Sequence, residues 1–295
     1  MHLPFRLLAV DIDGTLLNSK FQVSERDKEA LRYIHSLGIE VILCTGRRHT
    51  FSRPIAQQIG FDMWICSSNG AVTRSTQGED FHRTLMPAHV AEQVCTHMKE
   101  FRGGTVVTFD LESYGALVCE HTNELHQHAA YWVEKNEPYI ERIVPIESAL
   151  RRGLDPVQAM VCGTVERIQQ AEARLTDAPV RRHIHVMKTE YVTRDLSMLD
   201  ILAAGCSKGH AVERWAKKRQ IPAAEVLAIG DNYNDLEMLE FAGLKAVMAN
   251  SSAGLLERGW HITRSHNESG VAAAIEHYLG AKVPETALER QEAAE

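Results

Sequence analysis

The sequence predicts an α/β protein in which a parallel-sheet core is interrupted by an inserted α+β domain. Two observations carry that prediction. Short, uniformly apolar segments alternate with amphipathic helical stretches at both ends of the chain, and between about residues 82 and 189 this texture gives way to strand-like runs interleaved with helices. The core is therefore assigned to residues 1–81 and 190–295, and the inserted domain to 82–189.

The first element is "LLAV", at the start of the stretch "LLAVDIDGTLL" (residues 7–17). Four apolar residues in a row leave no wet face, as in a central strand of a parallel sheet covered on both sides. Residues 24–38, "SERDKEALRYIHSLG", follow as a helix. Ser24 is placed to cap it, Ala30, Leu31, Ile34 and Leu37 recur at helical spacing, and Gly38 stops it. "IEVILCTG" reads as a second buried strand, "TFSRPIAQQIGF" as a short helix, and "DMWICSSNGA" as a third strand ending in a turn. This βαβαβ order predicts parallel strands joined by right-handed crossovers.

In the insertion, "GTVVTFDL", "GALVCE", "ERIVPI", "PVQAMVCG" and "RRHIHVMK" read as strands, with helices near 88–101, 123–136 and 165–176. The last third returns to the first pattern. "SKGHAVERWAKKRQ" is a helix opened by Ser207, "AEVLAIGD" a buried strand, and "NDLEMLEFAG" a helix closed by Gly243. "LKAVMAN" is another strand and "GVAAAIEHYLG" a helix, after which "AKVPETALERQEAAE" reads as a polar, frayed tail.

A chain of 295 residues is long enough for two ordinary domains. Its net charge of −7 weighs against nucleic acid as a partner, because backbone binding needs clustered positive charge and the "RR" pairs here are short. No apolar run approaches the roughly 18 residues that span a bilayer. "MHLPFRLLAV" enters the first strand without the segments of a signal peptide. The expectation is a cytoplasmic protein that does not engage membranes. Six widely separated cysteines without a CxxC pair suggest buried free thiols, not zinc or redox chemistry.

In a parallel sheet, the carboxyl ends of these strands bring "DIDGT" (11–15), "TGR" (45–47), "SKG" (207–209) and "GDNYND" (230–235) to one edge. That edge is where such sheets bind ligands. The four acids gathered there, Asp11, Asp13, Asp231 and Asp235, would repel one another and raise some of their pKa values. A hard divalent cation resolves the conflict, and magnesium suits it, taking oxygens from a few carboxylates plus waters and a phosphate. Lys208 opens a helix, where a cation is electrostatically misplaced, so it reads as functional.

"DIDGTL", "TGR", "SKG" and "GDNYNDLEM", in this order and on these elements, resemble the four motifs of the haloacid dehalogenase-like hydrolase superfamily. The insertion between the second and third resembles that of its Cof-type, or type IIB, sugar phosphatases. The resemblance implies a Rossmann-like core with a C2-type cap. It also implies a magnesium-dependent phosphatase acting on a small phosphorylated metabolite: a sugar phosphate, or a cofactor such as pyridoxal phosphate or flavin mononucleotide.

By the same resemblance, Asp11 is the nucleophile that becomes an aspartyl phosphate, and Asp13 the general acid and then the base. Asp11, Asp13 through its main-chain carbonyl, and Asp231 would bind the metal, with Asp235 holding the metal or its waters. Thr45, the amide of Gly46, and Lys208 would bind the phosphoryl group, and Asn234 would position its oxygens or Lys208. Arg47 and Asn69, the latter in an "NGA" turn, are candidates for substrate contact, against the plainer readings of an ion pair and a turn required by the backbone. His121, His126 and His128 fit no ligand spacing and read as a solvated helix or loop.

Two other readings stand beside the phosphatase: a phosphomutase of the same superfamily, and a catalytically silent binding or regulatory module. The intact Asp11, Asp13, Lys208 and Asp231 argue against the module. Where relatives commonly carry "GNA" after the fifth strand, this chain has "MANSS", with Ala249 in place of the glycine. That change bears on loop shape or substrate preference and not on the reaction.

Overall fold

The computed structural model describes residues 3–191 and 194–284, so most of the polar tail lies outside the described residues. The chain divides into two compact units, one of them Arg83–Cys206 and the other formed by the segments on either side. The first segment runs through β1 (Leu7–Asp11), α1 (Glu25–Ser36), β2 (Glu40–Cys44), α2 (His49–Ile59), β3 (Trp64–Ser67), β4 (Val72–Ser75) and β5 (Asp80–Arg83). The inserted unit follows as α3 (Ala88–His97), β6 (Thr105–Thr108), β7 (Leu117–Cys119), α4 (Asn123–Asn136), β8 (Ile140–Arg142), α5 (Glu147–Leu150), β9 (Gln158–Gly163), α6 (Val165–Thr176), β10 (Ile184–Tyr191) and β11 (Leu196–Ala203). The chain then returns through α7 (Lys208–Lys218), β12 (Val226–Gly230), α8 (Leu236–Phe241), β13 (Leu244–Val247), α9 (Ala253–Leu256), β14 (His261–Ile262) and α10 (Gly270–Leu279).

In the core the strand order is β14-β13-β12-β1-β2-β3-β4-β5. Strands from β14 to β3 are parallel, and β4 turns back antiparallel on β3. Why β1 is uniformly apolar is now visible. Leu8 and Val10 pack with Leu31 and Ile34 of α1 and Val271 and Ile275 of α10, while Leu7 and Ala9 pack with Val212 and Trp215 of α7 and Met238 of α8. Alternate residues feed two helical layers, so neither face meets water. Ser24 caps α1 as expected, its hydroxyl accepting from the Asp27 amide at 3.1 Å, a contact worth about 1 kcal/mol.

The inserted unit is built on a six-stranded sheet of order β10-β11-β9-β6-β7-β8, antiparallel except between β7 and β8. Ala159 and Val161 of β9 face a layer containing Val90 and Val94 of α3 and Ile168 of α6; Cys162 faces Leu125 and Val133 of α4. The unit ends at Cys206, beyond the sequence-based boundary at 189. The reason is β11, which lies hydrogen-bonded between β9 and β10 and belongs to the sheet that a cut at 189 would split. All six cysteines are buried and unbridged.

Candidate active site

After β1 the chain proceeds to β2 on one side of it, and only after the insertion does β12 pair on the other side. That reversal opens the crevice beyond the carboxyl end of β1, where the loops after β1 and β12 face each other. Asp11 closes β1 opposite Cys44, the last residue of β2, and Thr45 and Gly46 follow directly.

The structure brings Asp11, Asp231 and Asp235 together, with one carboxylate oxygen from each lying within 4.8 Å of the others, and all three residues are buried. Lys208 sits among them, 1% exposed, its ammonium donating to Asp11 Oδ1 at 2.6 Å and to Asp235 Oδ1 at 2.7 Å. The Asp235 carboxylate is also a loop brace, its Oδ2 accepting from the amides of Asp231 at 3.0 Å and Asn232 at 3.1 Å. Ser207 caps α7 by accepting from the His210 amide at 3.2 Å, which sets Lys208 at the first turn of the helix.

One cation among three buried carboxylates leaves excess negative charge. Burial, then the neighbouring charge of Asp235, push the Asp11 carboxyl up to about 7 despite Lys208. Burial, then Asp11 and Asp235, raise Asp231 well above the usual carboxylate range. Burial alone would depress Lys208, but its two carboxylate partners outweigh that effect and hold the ammonium well above its ordinary value. The donor set is hard oxygen, and the charge imbalance is that of a divalent cation's site. The local backbone is shaped to the same end: at Gly14, with φ +82°, an added Cβ would fall 2.3 Å from Asp231 Oδ2. The residues present therefore fit a divalent metal.

Asp13 is set apart from this cluster. Its carboxylate is held by Arg47, which donates from Nε to Oδ2 at 2.7 Å and from Nη2 to Oδ1 at 2.5 Å. The ion-pair reading of Arg47 is thus realised inside the site, a pairing that residue order alone does not reveal. Thr45 Oγ1 accepts from the Arg47 amide at 3.1 Å, and Thr45 is fully buried.

Asn234 and Lys208 make their hydrogen bonds to different partners. The Asn234 side chain donates to Asn69 Oδ1 at 3.1 Å, while Asp235, one residue on, takes the lysine. The helical turn beginning at Tyr233 rotates neighbouring side chains by about 100° or more, which separates the two roles. Asn69 itself has φ 51°, a left-handed turn as its sequence suggested, and Gly46 lies against its amide group. His121 is exposed before α4, and the side chains of His126 and His128 lie outside the described residues.

A residue without an assigned role in the sequence reading also enters the site. Asn250, in "MANSS", donates from Nδ2 to the carbonyl oxygen of Gly14 at 2.8 Å. Its position just after a core strand was the available signal.

The family of haloacid dehalogenase-like hydrolases matches residues 8–275. Among curated proteins, the chain is 28% identical to the phosphatase YwpJ of Bacillus subtilis, across 93% of this chain and 100% of that one. It is 27% identical to the 5-amino-6-(5-phospho-D-ribitylamino)uracil phosphatase YwtE of the same organism, across 93% and 98%. Among solved structures, a haloacid dehalogenase subclass IIB sugar phosphatase superposes with a TM-score of 0.75 at 18% identity, over 92% of this chain and 98% of that one, a likeness of fold. With both core segments and the insertion between them inside the family match, the chain belongs to the haloacid dehalogenase-like hydrolases.

Proposed function

We propose that this hydrolase is a Cof-type phosphatase that hydrolyses small phosphomonoesters with magnesium as its metal, through an aspartyl phosphate on Asp11. The observation that carries the reading is the buried cluster of Asp11, Asp231 and Asp235 with Lys208 in its midst. Clustered buried charge costs stability, and here it lies at the ligand edge of the sheet.

In this reading Lys208 takes Asp11 Oδ1, and the other oxygen attacks phosphorus. Thr45, whose oxygen already accepts from the Arg47 amide, turns its hydroxyl proton toward a phosphoryl oxygen, and the Gly46 amide supplies a second donor. Asp13 protonates the departing alkoxide. It then takes a proton from water as that water attacks the aspartyl phosphate, which frees phosphate and restores Asp11. Because Arg47 holds Asp13, substrate binding has to loosen that pair before Asp13 can act. Asn69 and Asn234, joined to each other, form a rim for the phosphoryl group or the leaving group. Bound at Asp11, Asp231 and the Asp13 carbonyl, with Asp235 behind them, magnesium would neutralise the charge on the transferring group.

The substrate class is a small phosphorylated metabolite, a sugar phosphate or a phosphorylated cofactor. The relative named for a phosphoribitylamino-uracil supports that class. We place the protein in the cytoplasm, a reading supported by six unbridged buried cysteines and by described helices too short or too polar to cross a membrane.

The test is phosphate release from para-nitrophenyl phosphate and from a panel of sugar and cofactor phosphates, with and without magnesium, for wild type and Asp11→Asn. Metal-dependent release that vanishes in the variant supports the reading. Transfer between two sugar phosphates without net release would replace it with a mutase.

A further inference from the structure

We propose that Asn250 is a positioning residue that sets the spacing of the two metal-bearing loops; the proposal rests on the metal-dependent phosphatase reading. Two residues in the segment after β13, Asn250 and Ser252, reach one loop each. Asn250 Nδ2 donates to the Gly14 carbonyl at 2.8 Å, on the loop after β1. The Ser252 amide donates to the Asp231 carbonyl at 3.1 Å, on the loop after β12. Asn250 is anchored from behind, its Oδ1 accepting from the His266 amide at 2.9 Å.

The chemistry of this bridge selects asparagine. One end must donate to a carbonyl and the other must accept from an amide, at fixed reach, and a side-chain amide supplies both in a single orientation. What the bridge holds is the approach of the Gly14 loop to Asp231. There the two are already in close register: the Thr15 hydroxyl donates to Asp231 Oδ1 at 3.2 Å, and no room remains for a Cβ at Gly14. Asp11 begins this loop and Asp231 begins the other, so the spacing that Asn250 sets is the spacing of the two carboxylates a metal would bridge. Asn250 itself is exposed and fills no core space, so replacing it tests position and not packing.

The experiment compares wild type, Asn250→Leu and Ser251→Ala. Magnesium affinity is measured by calorimetry, melting temperature without metal, and turnover of para-nitrophenyl phosphate across magnesium concentrations. Losing one hydrogen bond of ordinary strength is expected to weaken magnesium binding in Asn250→Leu about 3- to 10-fold. Excess magnesium should restore turnover, the metal-free melting temperature should hold, and Ser251→Ala should match wild type. Unchanged magnesium affinity in Asn250→Leu overturns the proposal. So does a loss of turnover that excess magnesium does not restore and that a lower melting temperature accompanies. A wild type that binds no magnesium sinks the proposal together with the metal-dependent reading beneath it.

Discussion

The ammonium of Lys208 lies 2.6 Å from Asp11 Oδ1, and both side chains are nearly sealed from solvent, at 1% and 4% exposure. A cation at the first turn of a helix opposes the helix dipole, so its partners must hold it there.

Lys208→Met should therefore expose how much the cluster depends on it. Without the ammonium, Asp11 and Asp235 are left buried and uncompensated, a defect that costs about 3–5 kcal/mol. Denaturant titrations without metal should show that loss and its partial recovery in magnesium, while turnover at saturating magnesium falls about 100-fold or more. A metal-free variant as stable as wild type would contradict this account.

Asp11→Asn should separate activity from stability. Turnover is expected to fall about a thousandfold or more, as for a lost nucleophile. Lys208 still has Asp235, and one of three repelling carboxylates is gone, so the metal-free melting temperature should stay level or rise. Magnesium should then raise the melting temperature of the variant less than that of wild type. A melting temperature several degrees lower without metal would make Asp11 a structural residue.

Two glycines with nearly the same backbone make a controlled pair. Gly14 has φ +82° and its added Cβ would strike Asp231; Gly38 has φ +84° and open space around it. Gly38→Ala should cost about 1–2 kcal/mol for the left-handed conformation and leave kcat/KM unchanged. Gly14→Ala should carry the same backbone cost and in addition lose magnesium affinity in calorimetry, because Asp231 must move.

Away from the site, Asp27 in α1 links two helix starts. It accepts from the Ser24 hydroxyl at 2.7 Å and from the Ala272 amide of α10 at 2.8 Å. Burial nonetheless pushes its carboxyl up to about 6. A carboxyl that holds its proton more tightly when folded contributes fully below its unfolded pKa of about 3.9, and the contribution fades as pH rises through about 6. Asp27→Asn should thus gain stability relative to wild type as pH rises from about 4 to about 6 and keep that gain above, by up to about 3 kcal/mol, as read from denaturant midpoints. A stability difference that does not change with pH would refute the raised value.

Much of the fold was legible because its signals are local. The capped, periodic helix after Ser24 and the apolar run at Leu7–Val10 announce themselves within a few residues, and each matches its element closely. β11 was not legible: Ser197 and Asp200 break its apolar pattern, and only its place between β9 and β10 makes it a strand. "ERIVPI" failed in the other direction, its strand ending at Arg142 before Ile146 turns to pack with the helices of the inserted unit.

For the site, the order of motifs determined which residues would meet, because parallel strands with known crossovers deliver their carboxyl ends to one edge whatever the details between them. Asp11, Lys208 and Asp231 followed from that rule alone. Which atom meets which was decided only in three dimensions. Asp235 takes Lys208, Asn234 takes Asn69, Arg47 closes on Asp13, and Asn250 reaches Gly14. Hydrogen bonds between loops distant in sequence depend on angstrom-scale reach and on donor direction, and no spacing along a chain encodes either.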